Sequence, residues 1–137
     1  MASSGYLLAQ GGVPTTPIGI LATVTGIDGK VVATTNLFTV PTGFTAVCLQ
    51  MVIRITAGSS ITVAGTMGAG VAAGEADIFP SGPLTGLTVL GAFAVSTTQI
   101  GSVTAAAASV IKLGIDTGYT ATSCTLAVDL IGFLVAV

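Results

Sequence analysis

The chain has 137 residues, 3 of them basic and 5 acidic, with no His and no Trp and a formal net charge of −2. Charged residues make up 6% of it, against roughly 25% in an ordinary soluble domain, and apolar residues make up 52%. The length allows one domain with one core, while Lys30, Arg54 and Lys112 are too few and too scattered for a polyanion partner, which needs clustered Lys and Arg.

Residues 1–18 read as an irregular arm, because Gly11, Gly12, Pro14 and Pro17 interrupt any regular element. Its apolar residues Tyr6, Leu7 and Leu8 cannot build a core of their own. Two readings stay open: a frayed terminus, or an arm that docks on a neighbour. A single β-sandwich domain is expected over 19–137. Residues 20–25 form a β-branched run, and Asp28-Gly29 before a second run at 31–35 is a hairpin signal, since a type I′ turn needs positive φ at both central positions. On this reading Asp28 and Lys30 are exposed turn residues.

Residues 37–40 form a short strand ended by Pro41-Thr42-Gly43, with Pro placed to preset φ and Gly to permit the turn. The clearest strand follows at 44–56. Its odd positions, Val47, Leu49, Met51, Ile53 and Ile55, form a period-2 apolar face, and its even positions mix Gln50 and Arg54 with Cys48 and Val52. Residues 61–63 read as strand, 65–74 as a Gly-rich loop, 76–79 as a short strand, and 80–83 as a turn. Strands are expected over 84–95 and near 100–103. Residues 105–109 are the one place where a helical turn fits. A strand at 110–115 ends at Asp116-Thr117-Gly118, and the last strand begins near Thr120, with Cys124, Leu126, Val128 and Leu130 on one face and Ser123, Thr125 and Asp129 on the other.

Eight or nine strands between regular turn signals, with no helix of ten residues, predict an all-β fold: a single jelly-roll-like β-sandwich behind an irregular N-terminal arm. The C-terminal run turns apolar on both faces. Ile131, Phe133 and Val135 then mark either a strand entering its own core or a subunit contact.

The chemistry expected of an enzyme is missing. There is no His to activate a nucleophile, no Gly-x-Ser-x-Gly elbow and no phosphate-binding Gly-Lys-Ser/Thr, so neither catalytic nor cofactor-binding residues are expected. Cys48 and Cys124 read as buried small hydrophobes, and whether they pair is open. Glu75 and Asp77 are the only close carboxylate pair. In an extended segment they would share a face about 7 Å apart, which leaves a cation site as the alternative to a solvated loop; no other metal site is expected. The longest charge-free stretch, 78–111, is broken by Pro80, Pro83 and the polar run 96–99, so no spanning helix is expected. The N-terminal residues lack a basic start and a long apolar stretch, which predicts synthesis in a cytoplasm.

The segment Asn36-Leu37-Phe38-Thr39-Val40-Pro41-Thr42-Gly43 leading into the strand from Phe44 resembles the opening of small jelly-roll structural proteins of tailed bacteriophages. The climb through Tyr119-Thr120-Ala121-Thr122-Ser123 into a strand closing on Leu130-Ile131-Gly132-Phe133-Leu134 is similar too, and the likeness spans about 18–137. The resemblance implies a capsid decoration or cement protein on the virion surface. It would be a homotrimer partnered with the major capsid protein, with no enzymatic role and no membrane. The alternative it leaves is a receptor-binding module at a head fibre or tail tip, for which Tyr119 and the loop 65–77 would be the contacts. This chain departs from the pattern in being less charged, which implies heavier burial of its surface.

Overall fold

β-branched runs cut by Gly and Pro leave the backbone little choice but extended segments joined by turns. A computed structural model describes residues 16–97 and 104–137. Nine strands are present among them: β1 (Gly19–Asp28), β2 (Thr34–Thr39), β3 (Phe44–Ser59), β4 (Thr66–Gly70), β5 (Phe79–Pro83), β6 (Phe93–Thr97), β7 (Thr104–Ala105), β8 (Val110–Thr117) and β9 (Ser123–Ala136). Every pairing is antiparallel. The larger sheet runs β1-β9-β3-β6, with the two-residue β7 also on β3, and the smaller runs β2-β8-β4-β5. Setting β7 aside, successive strands cross between two four-stranded layers, except β4 and β5, which are neighbours in the smaller one, and the order is that of a jelly roll. The expected sandwich is what forms.

The core lies between the layers. Met51, Ile53 and Ile55 of β3 and Leu126, Val128 and Leu130 of β9 close on Met67, Phe79, Ile111 and Leu113 from the smaller sheet. The face of β9 follows the alternation read from the sequence, with Cys124, Leu126, Val128 and Leu130 inward. The face of β3 does not hold one phase. Ala46 and Cys48 point inward, the register slips between Cys48 and Gln50, and the inward set resumes at Met51. Val47 and Leu49, expected on the core face, therefore leave it at a β-bulge. Gly132 opposite makes this possible, because a Cβ there would overlap the Val47 carbonyl.

The Asp28-Gly29 turn is real, but it makes no hairpin. β1 pairs with β9 and β2 with β8, so the turn crosses from one layer to the other. Neither Asp28 nor Gly29 has the positive φ of a type I′ turn. Instead the Gly29 amide donates to the Cys124 carbonyl at 2.9 Å and its carbonyl accepts from the Tyr119 amide at 2.8 Å, which sews the turn to the loop before β9. Residues 31–33 stay outside a strand, and the two short runs expected at 31–35 and 37–40 merge into β2 with a bulge between Asn36 and Phe38. Pro41 starts the next turn rather than sitting second in it: the Phe44 amide reaches the Pro41 carbonyl, with Gly43 at φ +83°.

The Gly-rich stretch expected as a loop contains β4, and the turn expected at 80–83 is part of β5. Gly68 is needed because a Cβ would press on the Phe79 carbonyl and the Ser81 backbone of that neighbour. Pro80 and Pro83 fit β5 because it is an edge strand. Residues 61–63 form only a bridge from Val63 to Thr120. Of 84–95, only the end from Phe93 is strand. Residues 105–109 hold the end of β7 and a tight turn with Ala108 at φ +64°, not a helical turn. The strand expected at 100–103 lies outside the described residues.

Candidate assembly surface

The outer face of the larger sheet is built by the residues that alternate with its core set. Thr23 on β1, Asp129 on β9, Val52 on β3 and Val95 on β6 form one row across it; Ile20, Ile131 and Gln50 form the next. Phe93 lies beside Arg54 in a third. Ile20, Phe93 and Val95 are 64%, 66% and 46% exposed, while Val52 and Ile131 are half-buried. Two strand edges and the centre of one face thus present large apolar side chains to solvent.

The two charges at the centre of this face neutralise each other. Arg54 Nη2 lies 3.1 Å from Asp129 Oδ2 and donates to Oδ1 at 3.2 Å, and Thr23 Oγ1 donates to the same Oδ1 at 2.8 Å. The pair holds cross-strand neighbours together and leaves the centre of the face without net charge, with Asp28 at its loop-end corner. Arg54 Nε is buried without a partner.

A second apolar surface forms at one end of the sandwich, where the connections β1–β2, β3–β4, β5–β6 and β8–β9 gather. Val31, Val32, Val63, Val89 and Leu90 are all more than half exposed or at that mark, from 50% to 65%. Lys30 is anchored there by its Nζ donating to the Thr122 carbonyl. The outer face of the smaller sheet is different. Asp77 Oδ1 accepts from the amides of Val71 and Ala72, Glu75 lies over Gly114, and Ser81 donates to Asp116. That face is covered by the chain's own polar loop.

Ile131, Phe133 and Val135 stand on the outer face of the larger sheet, half-buried, rather than in the core between the sheets. Tyr6, Leu7 and Leu8 lie outside the described residues. Glu75 and Asp77 do not share a strand face: Glu75 sits in a turn at φ +44°, and Asp77 is spent on loop amides. No group of three candidate metal ligands occurs among the described residues. The two cysteines are free and buried. Cys124 pairs with Gly58, ten residues along β3 from Cys48, or about 33 Å by strand rise, so no bond can join them.

Burial pushes the Cys48 thiol up to about 11 and raises the Cys124 thiol as well, which makes both poor nucleophiles at neutral pH. Burial, and then Cys124, pushes the Tyr119 phenol up to about 12, and its hydroxyl has no hydrogen-bond partner. Tyr119 is 4% exposed, so it is not the surface contact that a receptor-binding loop would require. An open groove of about 300 Å³ between β1 and β2 is lined by residues such as Val24, Ile27 and Ile115, with Asp28 at its edge. It has no converging catalytic groups. No helix among the described residues is long and apolar enough to cross a membrane.

Reading the sequence missed Ile20, Phe93, Val95 and the five loop-end residues as surface. The signal for Phe93 and Val95 was present as a two-residue period. It was masked by an expected strand that began at Leu84.

No protein-family model and no curated protein matches this chain. Its fold is similar to chains in three solved phage capsids. A chain of the cyanophage Pam1 capsid asymmetric unit aligns with TM-score 0.51 at 14% identity, over 90% of this chain and 85% of that one. A chain of the acid-stable capsid of Helicobacter pylori bacteriophage KHP30 gives 0.52 at 10% identity, over 90% and 98%. A chain of the capsid of Ralstonia phage GP4 gives 0.50 at 12% identity, over 89% and 84%. At these identities the likeness is one of fold.

Proposed function

We propose that this chain is a virion structural protein that decorates a phage capsid and stabilises it by bridging neighbouring capsid subunits. It works as a homotrimer on the capsid surface after synthesis in the host cytoplasm, with the major capsid protein as its partner. The observation that carries this reading is a rigid sandwich with two separate uncovered apolar surfaces, the outer face of the larger sheet and the loop end. A homotrimeric bridge needs one contact between its copies and one with the shell, and the jelly-roll likeness to chains of phage capsids supports the setting. Tyr6, Leu7 and Leu8 are assigned to contacts with a neighbouring subunit, and so are Ile131, Phe133 and Val135.

Magnitudes favour a multivalent mode. Fully burying one large aliphatic side chain contributes about 1.5–3 kcal/mol. Association costs about 4–15 kcal/mol in lost freedom. The five side chains of one loop end are therefore marginal alone, and linked copies gain by effective concentration what no single contact supplies.

Adding the purified chain to undecorated shells tests the reading. Saturable binding and a higher shell melting temperature are expected, and both should be lost in Val89→Asp/Leu90→Asp. Shells that neither bind the wild-type chain nor gain stability would overturn it.

A further inference from the structure

We infer that the outer face of the larger sheet is where one copy of this chain meets another. The inference rests on the multimeric part of the function proposed above and names the surface that part leaves open.

Size, charge and the remaining hydrogen-bond capacity point to a second copy. β1, β9, β3 and β6 hold 10, 14, 16 and 5 residues, which at a rise of about 3.3 Å and a strand spacing of about 4.8 Å give a face of about 700 Å². That approaches the roughly 800 Å² per partner of a specific interface. Its apolar content is high, with Phe93 and Val95 on β6 and Ile20 on β1 exposed to either side of half-buried Val52 and Ile131.

The charge pattern is self-complementary. Among the described residues, Arg54 and Asp129 form the ionic pair at the centre of this face and are opposite in sign, while Asp28 stands at its loop-end corner. A partner with an unbalanced surface would find no counter-charge here, whereas a copy brings one donor and one acceptor group to match. Arg54 makes its bonds through Nη2 alone, and exposed Gln50 stands two rows away with both an amide donor and a carbonyl acceptor. A symmetric neighbour therefore supplies an acceptor for Arg54 Nη1 from the same few residues, while Nε is buried beneath it. The smaller sheet offers no equivalent, because its outer face is already occupied by residues 71–77 and carries Glu75, Asp77 and Asp116.

Sedimentation of the full chain is the test. The wild type is expected at a mass that is a multiple of 13.3 kDa. Phe93→Asp/Val95→Asp should sediment at the single-chain mass with an unchanged far-ultraviolet circular dichroism spectrum. Ile20→Asp, on the opposite edge of the same face, should also lower the mass, which keeps the test decisive if the double variant does not fold. Val89→Asp/Leu90→Asp, at the loop end, should keep the wild-type mass. A wild-type chain that stays single at its highest soluble concentration overturns the inference, as does a folded Phe93→Asp/Val95→Asp that keeps the multimeric mass. A single-chain species that still binds shells would sink this inference and spare only the shell-binding part of the proposed function; a multimer that ignores shells would do the reverse.

Discussion

Tyr119 shows how a buried polar atom can cost stability in a chain with few polar atoms to spare. Its ring is wedged beside Gly65, where a Cβ would meet it at 3.0 Å. Its amide holds the Gly29 carbonyl. The ring therefore fixes the crossing between the layers, but its hydroxyl is buried without a partner. An unsatisfied buried hydroxyl costs about 1–3 kcal/mol. Tyr119→Phe keeps the ring and removes that group, so it should stabilise the fold by about 1 kcal/mol and raise the melting temperature by a few degrees. A loss of similar size on chemical denaturation would mean that the hydroxyl donates a bond worth more than its burial costs. The charges of Arg54 and Asp129 are paired with each other, and Asp129 also accepts from Thr23, although Arg54 Nε is itself buried without a partner.

At the scale of the strand, the bulge in β3 decides which side chains face the core. Between Cys48 and Gln50 one extra residue enters, and the inward set changes from even to odd. Gly132 on β9 accepts the Val47 carbonyl at this point. Gly132→Ala should therefore cost about 3 kcal/mol, at the upper end of ordinary overpacking, because the obstacle is backbone and cannot rotate away. Gly19→Ala is the control: nothing lies within 4 Å of a Cβ there, and its stability should hardly change. Denaturant titration of both variants checks the pair, and equal midpoints would remove the bulge from this account.

The same bulge explains what the sequence could and could not reveal. β9 was legible because its alternation runs from Cys124 to Leu130 without a break. β3 was legible as a strand, but its face was misassigned, since a bulge changes the phase without leaving a Gly or Pro in the bulged strand itself. β4 was hidden because its glycines answer to close neighbours, the β5 backbone and Asp77, which no local pattern records. Asp28-Gly29 signalled a turn correctly. Its layer crossing depends on partners near positions 119 and 124, far away in sequence. The candidate surface was half legible: Ile131, Phe133 and Val135 stood out as an apolar run, whereas Ile20, Phe93 and Val95 join them only after β1 and β6 take opposite edges of one sheet.

For the whole molecule, the balance between apolar and ionic contact surfaces sets how assembly responds to solution conditions. Of the eight charged residues, Arg54 and Asp129 neutralise each other, and Asp77 is turned onto its own loop. Most of the large exposed apolar side chains lie on the larger sheet and at the loop end, Val71 of the acidic loop being an exception. Association driven by such surfaces loses little when sodium chloride screens charges, since screening acts on ionic pairs and steering fields. Sulfate strengthens apolar burial because it is excluded from protein surface. The multimer mass should therefore hold from low salt to about 1 M sodium chloride, where the Debye length is only about 3 Å. It should persist to lower protein concentration in sulfate. Sedimentation across both series separates the two driving forces. Dissociation in sodium chloride alone would assign the contact to ion pairs and would contradict a molecule that keeps so few of them free.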